Sequence, residues 1–387
     1  MALAEQWHSA PRRWGSQLHN ICSYMAMFPP ALPHVLIDWL SAPEDLVYDP
    51  FCGRGTVPLE ACLMGRRGYG SDLNPLALIL TGAKVDPPSW DETEARLDDL
   101  AADVQSLPTA DEADCIRTIF SEMTLGQLLW IRATLDPSDR TDRFLLAVLA
   151  GILHLNADSS GHPRGLTVSM PNTFSMAPRY IMGYVDRHGL VPPEVDVVSA
   201  LRRRLDRLHP HMQPHPRGRC WSEDAASSTL TGPEFSADLI VTSPPYLHVV
   251  KYGKFNWLRL WLLGIEPKAV DSSLFSTSSL SRYVTFMTAV IKSMAGRISP
   301  KGHVCLVIGD VADEEKTTCL ADLIAGECLA GTGLTNMATI ADVLPGNRKV
   351  SRIWGEKRGR ATRTDRILVL GGSEAGDLPS VPACSWA

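Results

Sequence analysis

The chain has 387 residues, 45% of them hydrophobic and 21% charged, with a formal net charge of -6. At roughly 150 residues per domain, that length holds two or three units with a sizeable core. The balance excludes global disorder, a collagen repeat and a coiled coil.

The longest apolar run, Phe144 to Leu153, falls far short of the roughly 18 residues that a bilayer span needs. No continuous apolar stretch follows the basic residues near the N-terminus, and the nine cysteines form no C-x-x-C pair. A cytoplasmic protein with reduced core thiols and no membrane contact is expected. The charge is uneven along the chain. From Asp86 to Asp114 ten acids face the single base Arg96, whereas Arg348 to Arg366 holds eight bases against Glu356 and Asp365.

Residues 1 to 45 are rich in aromatics, histidine and proline and lead into a first strand, Leu46 to Asp49. Breakers at Pro50 to Gly55 precede helical apolar spacing from Thr56 to Met64, which Gly65 stops. Tyr69 to Asp72 then reads as a second strand. A strand, glycine loop, helix and strand ending in an acid make a βαβ unit, hence a parallel sheet with right-handed crossover.

From 86 to 218 the pattern becomes helical and is broken by proline-rich turns, with Met123 to Leu135, Arg143 to Leu155 and Pro193 to Leu208 as its firmest helices. No strand is expected there. Strand character resumes at Asp238 to Thr242, at His303 to Ile308 after a turn at Lys301-Gly302, and at Asp365 to Leu370. The expected architecture is α/β, a doubly wound and mostly parallel Rossmann-like sheet. Residues 1–85 and 219–387 are expected to form the domain that carries the two constellations below, and 86–218 a helical insertion.

Two constellations carry chemistry. In the first, Asp49-Pro50-Phe51-Cys52-Gly53-Arg54-Gly55-Thr56, Gly53 and Gly55 let backbone approach a ligand at a helix N-terminus. Asp72, 23 residues beyond Asp49, is placed to accept from ribose hydroxyls. Any adenosine-containing cofactor suits this much. Pro58 stands where the dinucleotide fingerprint has its third glycine, and Asp49 would repel a pyrophosphate. It suits instead the ammonium of S-adenosylmethionine.

The second constellation is a buried strand ending in Thr242-Ser243-Pro244-Pro245-Tyr246. Two prolines cannot continue a central strand and fix a rigid loop outside the carboxyl end of the sheet. There the Ser243 oxygen and the Pro244 carbonyl can accept from a planar amino group, while Tyr246 stacks on its ring.

D-P-F-C-G-R-G-T with T-S-P-P-Y resembles the amino-methylating DNA methyltransferases, and T-S-P-P-Y is similar to their cytosine-N4 branch. Phe28-Pro29-Pro30 with Leu32 to Leu40 resembles the family's N-terminal cofactor motif. Asp72-Leu73-Asn74-Pro75 resembles its ribose-binding motif, and Ser222-Glu223-Asp224 the segment whose acid, here Asp224, contacts cofactor adenine. The resemblance covers roughly residues 14–85 and 218–370. It implies a seven-stranded sheet with one antiparallel strand near its edge, S-adenosylmethionine as cofactor, and catalysis by Ser243, Pro244, Pro245 and Tyr246 on duplex DNA. It also implies target recognition by the insertion and a candidate restriction endonuclease partner. In the family the recognition insertion normally follows the adenine-contacting acid; here it precedes Asp224.

The cofactor set on this reading is Phe28, Pro29, Asp49, Pro50, Phe51, Gly53, Gly55, Thr56, Asp72, Leu73, Asn74 and Asp224. Lys251 and Lys254, among aromatics after the S-P-P-Y loop, are placed to grip an extruded nucleotide. Arg348, Lys349, Arg352, Lys357, Arg358, Arg360 and Arg363 are placed to hold phosphates; their plainer reading is solvated surface. Ser169 to Phe174 is a candidate wall of the substrate cleft. His209, His211, His215 and Cys220 are too irregularly spaced for a structural metal site, and none is expected. Cytosine-C5 chemistry would need Cys384 as nucleophile, too near the C-terminus. Adenine-N6 methylation of DNA or RNA remains open, though serine at 243 tilts against it. So do methylation of a protein glutamine and a noncatalytic nucleic-acid-binding module on the same fold.

Overall fold

In the computed structural model the described residues are 3–11, 14–24, 29–155, 164–170, 177–212, 218–227, 229, 232, 234–247, 251–312, 317–343, 361–382 and 386. The strands are β1 (Leu46–Asp49), β2 (Arg67–Asp72), β3 (Arg219–Ser222), β4 (Ala237–Thr242), β5 (Ile298–Ala312), β6 (Thr317–Thr318), β7 (Thr335–Val343) and β8 (Ala361–Gly371). They form one sheet in the order β3-β2-β1-β4-β5-β8-β7, with β6 a two-residue spur on β5. The five strands from β3 to β5 are parallel to their neighbours. β8 runs antiparallel to both β5 and β7, second from the edge, so the expected sheet of seven main strands is present.

Alternation along the strands separates two cores. Val47, Leu239, Val241, Cys305, Val307, Ile367 and Val369 bury one face under the helices Ala31–Leu40 and Thr56–Leu63. Tyr48, Ile240, Val304, Leu306, Leu368 and Leu370 bury the other under Leu280–Ala295 and Leu320–Glu327. Strand order reverses between β1 and β4, the place where open α/β sheets bind ligands.

Among the described residues 86–218 carries helices and no strand. Leu97, Leu128, Phe144, Leu201 and Leu205 from these helices share one core with Leu76, Leu80 and Ala83 of the helix Pro75–Val85, and with Trp257 and Leu258. The segment is therefore packed onto the helix that follows β2. Its helix starts are set by caps. Asp139 accepts from the N–H groups of Thr141 and Asp142, starting a helix at Arg140, three residues before the expected start. Asp196 accepts from Ser199 N–H, so the helix expected from Pro193 begins at Val197.

Two corrections concern strands. Lys301-Gly302 is no turn but lies inside β5, where a Cβ on Gly302 would stand 2.8 Å from the Asp238 carbonyl oxygen. β3 and β7 are strands that the residue pattern misses. Both are sheet edges with largely exposed or half-buried side chains, so neither prints a buried alternation. No described helix is long and apolar enough to cross a membrane.

Candidate active site

At the tip of β1 the Asp49 carboxylate turns back on the chain, and Phe51 N–H donates to its Oδ1 at 3.0 Å. Gly53 and Gly55 follow with φ of +51° and +76°, the left-handed region that side chains disfavour. Gly55 is required for a second reason: a Cβ there would lie 2.6 Å from Thr81 Oγ1. The helix Pro75–Val85 holds the loop from beneath. Thr81 Oγ1 donates to the Gly53 carbonyl at 3.1 Å, and Lys84 Nζ to the Arg54 carbonyl at 2.6 Å. Lys84 is fully buried, and burial followed by the nearby Arg54 guanidinium pushes its pKa well below the ordinary lysine range.

Asp72, at the tip of β2, binds both sides of this turn. Its Oδ2 accepts Gly53 N–H at 2.9 Å and its Oδ1 accepts Asn74 N–H at 2.8 Å. Asn74 in turn caps its helix through Leu76 N–H and donates to the Tyr24 hydroxyl at 2.7 Å. Burial raises Asp72 to about 6 despite these donors, and raises Asp49 to about 7 despite Thr242 and Phe51.

The second constellation meets the first across the β1/β4 pair. Thr242, the last residue of β4, is fully buried and donates to Asp49 Oδ1 at 2.6 Å. Beyond it Pro244 is buried, Ser243 half-buried, and Tyr246 is 37% exposed. Ser243 Oγ reaches the Tyr246 hydroxyl only at 3.4 Å.

These elements enclose a cavity of about 570 Å³, within the usual range of small-molecule sites. Asp49, Pro50, Phe51, Gly53, Thr56, Asp72, Leu73 and Asn74 line it on one side and Ser243, Pro244, Pro245 and Tyr246 on another. Asp224 also lines it. Its neighbour Glu223 lines it too but is buried in an ion pair with Arg297 at 2.7 Å and accepts from Trp221 Nε1 and Gly232 N–H, so its charge is already matched. The five acids in the lining, Asp49, Asp72, Glu223, Asp224 and Asp271, outnumber Arg54 and Arg282, so the cavity suits a cationic ligand. Phe51, Phe275 and Phe286 give it an aromatic wall, with the last two rings stacked 3.7 Å apart.

Not every expected residue is there. Pro29 is exposed and does not line the cavity, while Phe28 lies outside the described residues. Gly55 does not line it either and acts in packing. Lys251 and Lys254 are exposed outside the lining; Tyr252, between them, faces the cavity and stacks near Tyr24, ring centroids 6.0 Å apart. Asn256 and Trp257 of the same stretch are core. Arg348, Lys349, Arg352, Lys357, Arg358 and Arg360 lie outside the described residues, as do Pro171 to Phe174; Arg363 falls within β8, its side chain outside the description. Reasoning from sequence missed Tyr24, Thr242 and Arg282, whereas Tyr252 belongs to the stretch of bases and aromatics that it singled out. Of those missed, only Thr242 left a signal, as the polar end of an apolar strand.

Residues 5–79 match the profile of the DNA methylase family N6_N4_Mtase. A curated relative, the Type II methyltransferase M.MvaI of Kocuria varians, is 32% identical over 92 residues, which span 23% of this chain and 20% of that protein. Among solved structures, TrmN from Thermus thermophilus aligns at 12% identity with a TM-score of 0.37, covering 92% of this chain and 53% of that one. The rRNA methyltransferase aviRa from Streptomyces viridochromogenes aligns at 11% with a TM-score of 0.36, covering 95% and 98%. The profile match contains Asp49, the glycine loop and Asp72, and over these residues the chain is similar to the amino-methylating DNA methyltransferases, at the level that holds both the cytosine-N4 and the adenine-N6 branches.

Proposed function

We propose that this protein is an S-adenosylmethionine-dependent DNA methyltransferase that methylates the exocyclic N4 of cytosine in duplex DNA. The observation that carries this reading is the shared cavity: the glycine loop with its two acids and the Ser243–Tyr246 loop line one space and are tied by the Thr242–Asp49 hydrogen bond of 2.6 Å.

The residues fit the cofactor. The unpaired Oδ2 of Asp49 can take its ammonium, Asp72 has lone pairs left for ribose hydroxyls, and Asp224 can meet the adenine edge. When bound, S-adenosylmethionine supplies an electrophilic methyl group on a cationic sulfur. The chain's part is to make the target amine nucleophilic. An exocyclic amine is weak because its lone pair is delocalised into the ring. Accepting both amino protons, at Ser243 Oγ and the Pro244 carbonyl, favours the pyramidal nitrogen that attacks. Tyr246, with its ring partly open to the cavity, stacks on the base and fixes its plane. Because the target lies inside a duplex stack, extrusion at a cost of a few kcal/mol is part of the cycle.

The helices of 86–218 are assigned to reading sequence, and the basic stretch from Arg348 to Arg363 to holding phosphates. Neutralising Arg348, Arg352 and Arg358 should then lower the slope of log affinity against log salt by up to about three units, with sequence preference intact.

The deciding experiment incubates the protein with labelled cofactor and separate DNA and RNA pools, followed by nucleoside mass spectrometry. N4-methylcytosine in the DNA pool is expected. N6-methyladenine would move the assignment to the other branch, and no methylated nucleoside in either pool would overturn it.

A further inference from the structure

We propose that Thr242 is a positioning residue for the cofactor, holding Asp49 as an oriented anion whose free oxygen faces the cavity. This rests on the assignment of Asp49 to the cofactor ammonium. Thr242 and Asp49 sit at the tips of the adjacent parallel strands β4 and β1, which pair as Val47 with Leu239 and Tyr48 with Ile240. Thr242 is fully buried and Asp49 is 3% exposed, so the 2.6 Å bond between them is sheltered from water, where a charge-assisted hydrogen bond is strong.

Both donors, Thr242 Oγ1 and Phe51 N–H, converge on the same oxygen, Oδ1. Oδ2 has no hydrogen-bond partner among the described residues, and Asp49 lines the cavity. Loading one oxygen fixes the carboxylate plane and leaves the other as the acceptor.

The hydroxyl also favours the charged form. Burial raises the Asp49 pKa, and the neighbouring charge of Asp72 on β2 raises it further, while the Thr242 hydroxyl is the largest effect opposing them. The glycine loop adds no compensating cation at Asp49. The Arg54 guanidinium there is committed to the His19 carbonyl at 2.7 Å and to Thr56, and the Cys52 thiol is held neutral by burial. On β1 itself the Tyr48 hydroxyl is engaged with Ser71 on β2, and just beyond β3 Glu223 is paired with Arg297 and Asp224 is a further acid on the cavity. Without the Thr242 hydroxyl the Asp49 pKa would lie still further above the ordinary carboxylate range, so the neutral acid, which attracts an ammonium less, would gain population at neutral pH. Because Ser243 follows directly, the same bond fixes where the target-base loop leaves the sheet.

The test is calorimetric binding of S-adenosylhomocysteine from about pH 6 to about pH 8.5 by wild type, Thr242→Val, Thr242→Ser and Asp49→Asn. Methylthioadenosine, which lacks the amino-acid group, serves as the control ligand. Thr242→Val should bind S-adenosylhomocysteine about tenfold more weakly at pH 7, with a deficit that shrinks as pH rises and ionises Asp49. Thr242→Ser should restore the wild-type profile, and methylthioadenosine affinity should be the same for all. A Thr242→Val deficit equal at every pH, one shared by methylthioadenosine, or no deficit would overturn the proposal. An Asp49→Asn variant that binds like wild type would overturn the ammonium assignment beneath it. A profile flattened by Asp49→Asn but unmoved by Thr242→Val would overturn the role of Thr242 alone.

Discussion

Asp49 and Asp72 accept hydrogen bonds of 2.6 to 3.0 Å from Thr242, Phe51, Gly53 and Asn74, whereas Ser243 and Tyr246, on another side of the same cavity, share one of 3.4 Å. The cofactor end is also held from below by Thr81 and Lys84. The target end relies on two prolines for stiffness and on the packing of Tyr246 near Gly309, where a Cβ would meet its ring at 3.4 Å. Under the proposed function the contrast follows from what each end would receive. A cofactor would arrive in the same form at every turnover, so its site can be preorganised at no recurring cost. A base would arrive by extrusion from a stack, so its pocket would keep polar groups unengaged until the base supplies their partners.

The sharpest way to break this comparison is to remove the target end. Ser243→Ala should slow methyl transfer by about 100-fold or more, on the scale of losing one transition-state hydrogen bond, with cofactor affinity unchanged. If cofactor affinity falls in parallel, the two ends are not separable. A substitution under the cofactor end should act on stability instead. Gly55→Ala combines a left-handed backbone with a Cβ 2.6 Å from Thr81 Oγ1 and should cost about 2 to 4 kcal/mol, read as a lowered denaturation midpoint. An unchanged midpoint would show that the loop yields.

Asp72→Ala should weaken cofactor binding by about 1 to 3 kcal/mol, because two backbone N–H groups lose a charged acceptor and the ribose loses its partner. An unchanged dissociation constant would remove Asp72 from the site. The smallest effect is a pH slope. With its folded pKa raised to about 7, Asp49 binds a proton more tightly in the native state than in the unfolded chain. Its contribution to the stability of the cofactor-free protein is therefore present at low pH and lost as pH rises through 7. Asp72 and Asp365, both raised to about 6, act in the same direction. Asp49→Asn should flatten the dependence between about pH 4 and pH 7 by roughly 1 kcal/mol per unit. An equal slope in wild type and variant would place the titration elsewhere.

The sequence by itself determined the interior of the sheet and the two loops at its tips. β1, β4 and the end of β2 are legible because they are apolar runs closed by a glycine turn, a proline pair or an acid, and that punctuation is local chemistry. The glycine loop, Asp49, Asp72 and Ser243–Tyr246 were legible for the same reason. Only tertiary structure decided the rest. The edge strands β3 and β7 carry no buried periodicity and exist because a neighbour offers unpaired backbone groups. Tyr24 and Arg282 enter the cavity from segments far from either motif. The Thr242–Asp49 bond spans 193 residues, and no pattern along a chain reports it. A strand-tip hydroxyl and a carboxylate become partners only once β1 and β4 lie side by side, because pairing adjacent strands brings residues remote in sequence within hydrogen-bonding distance.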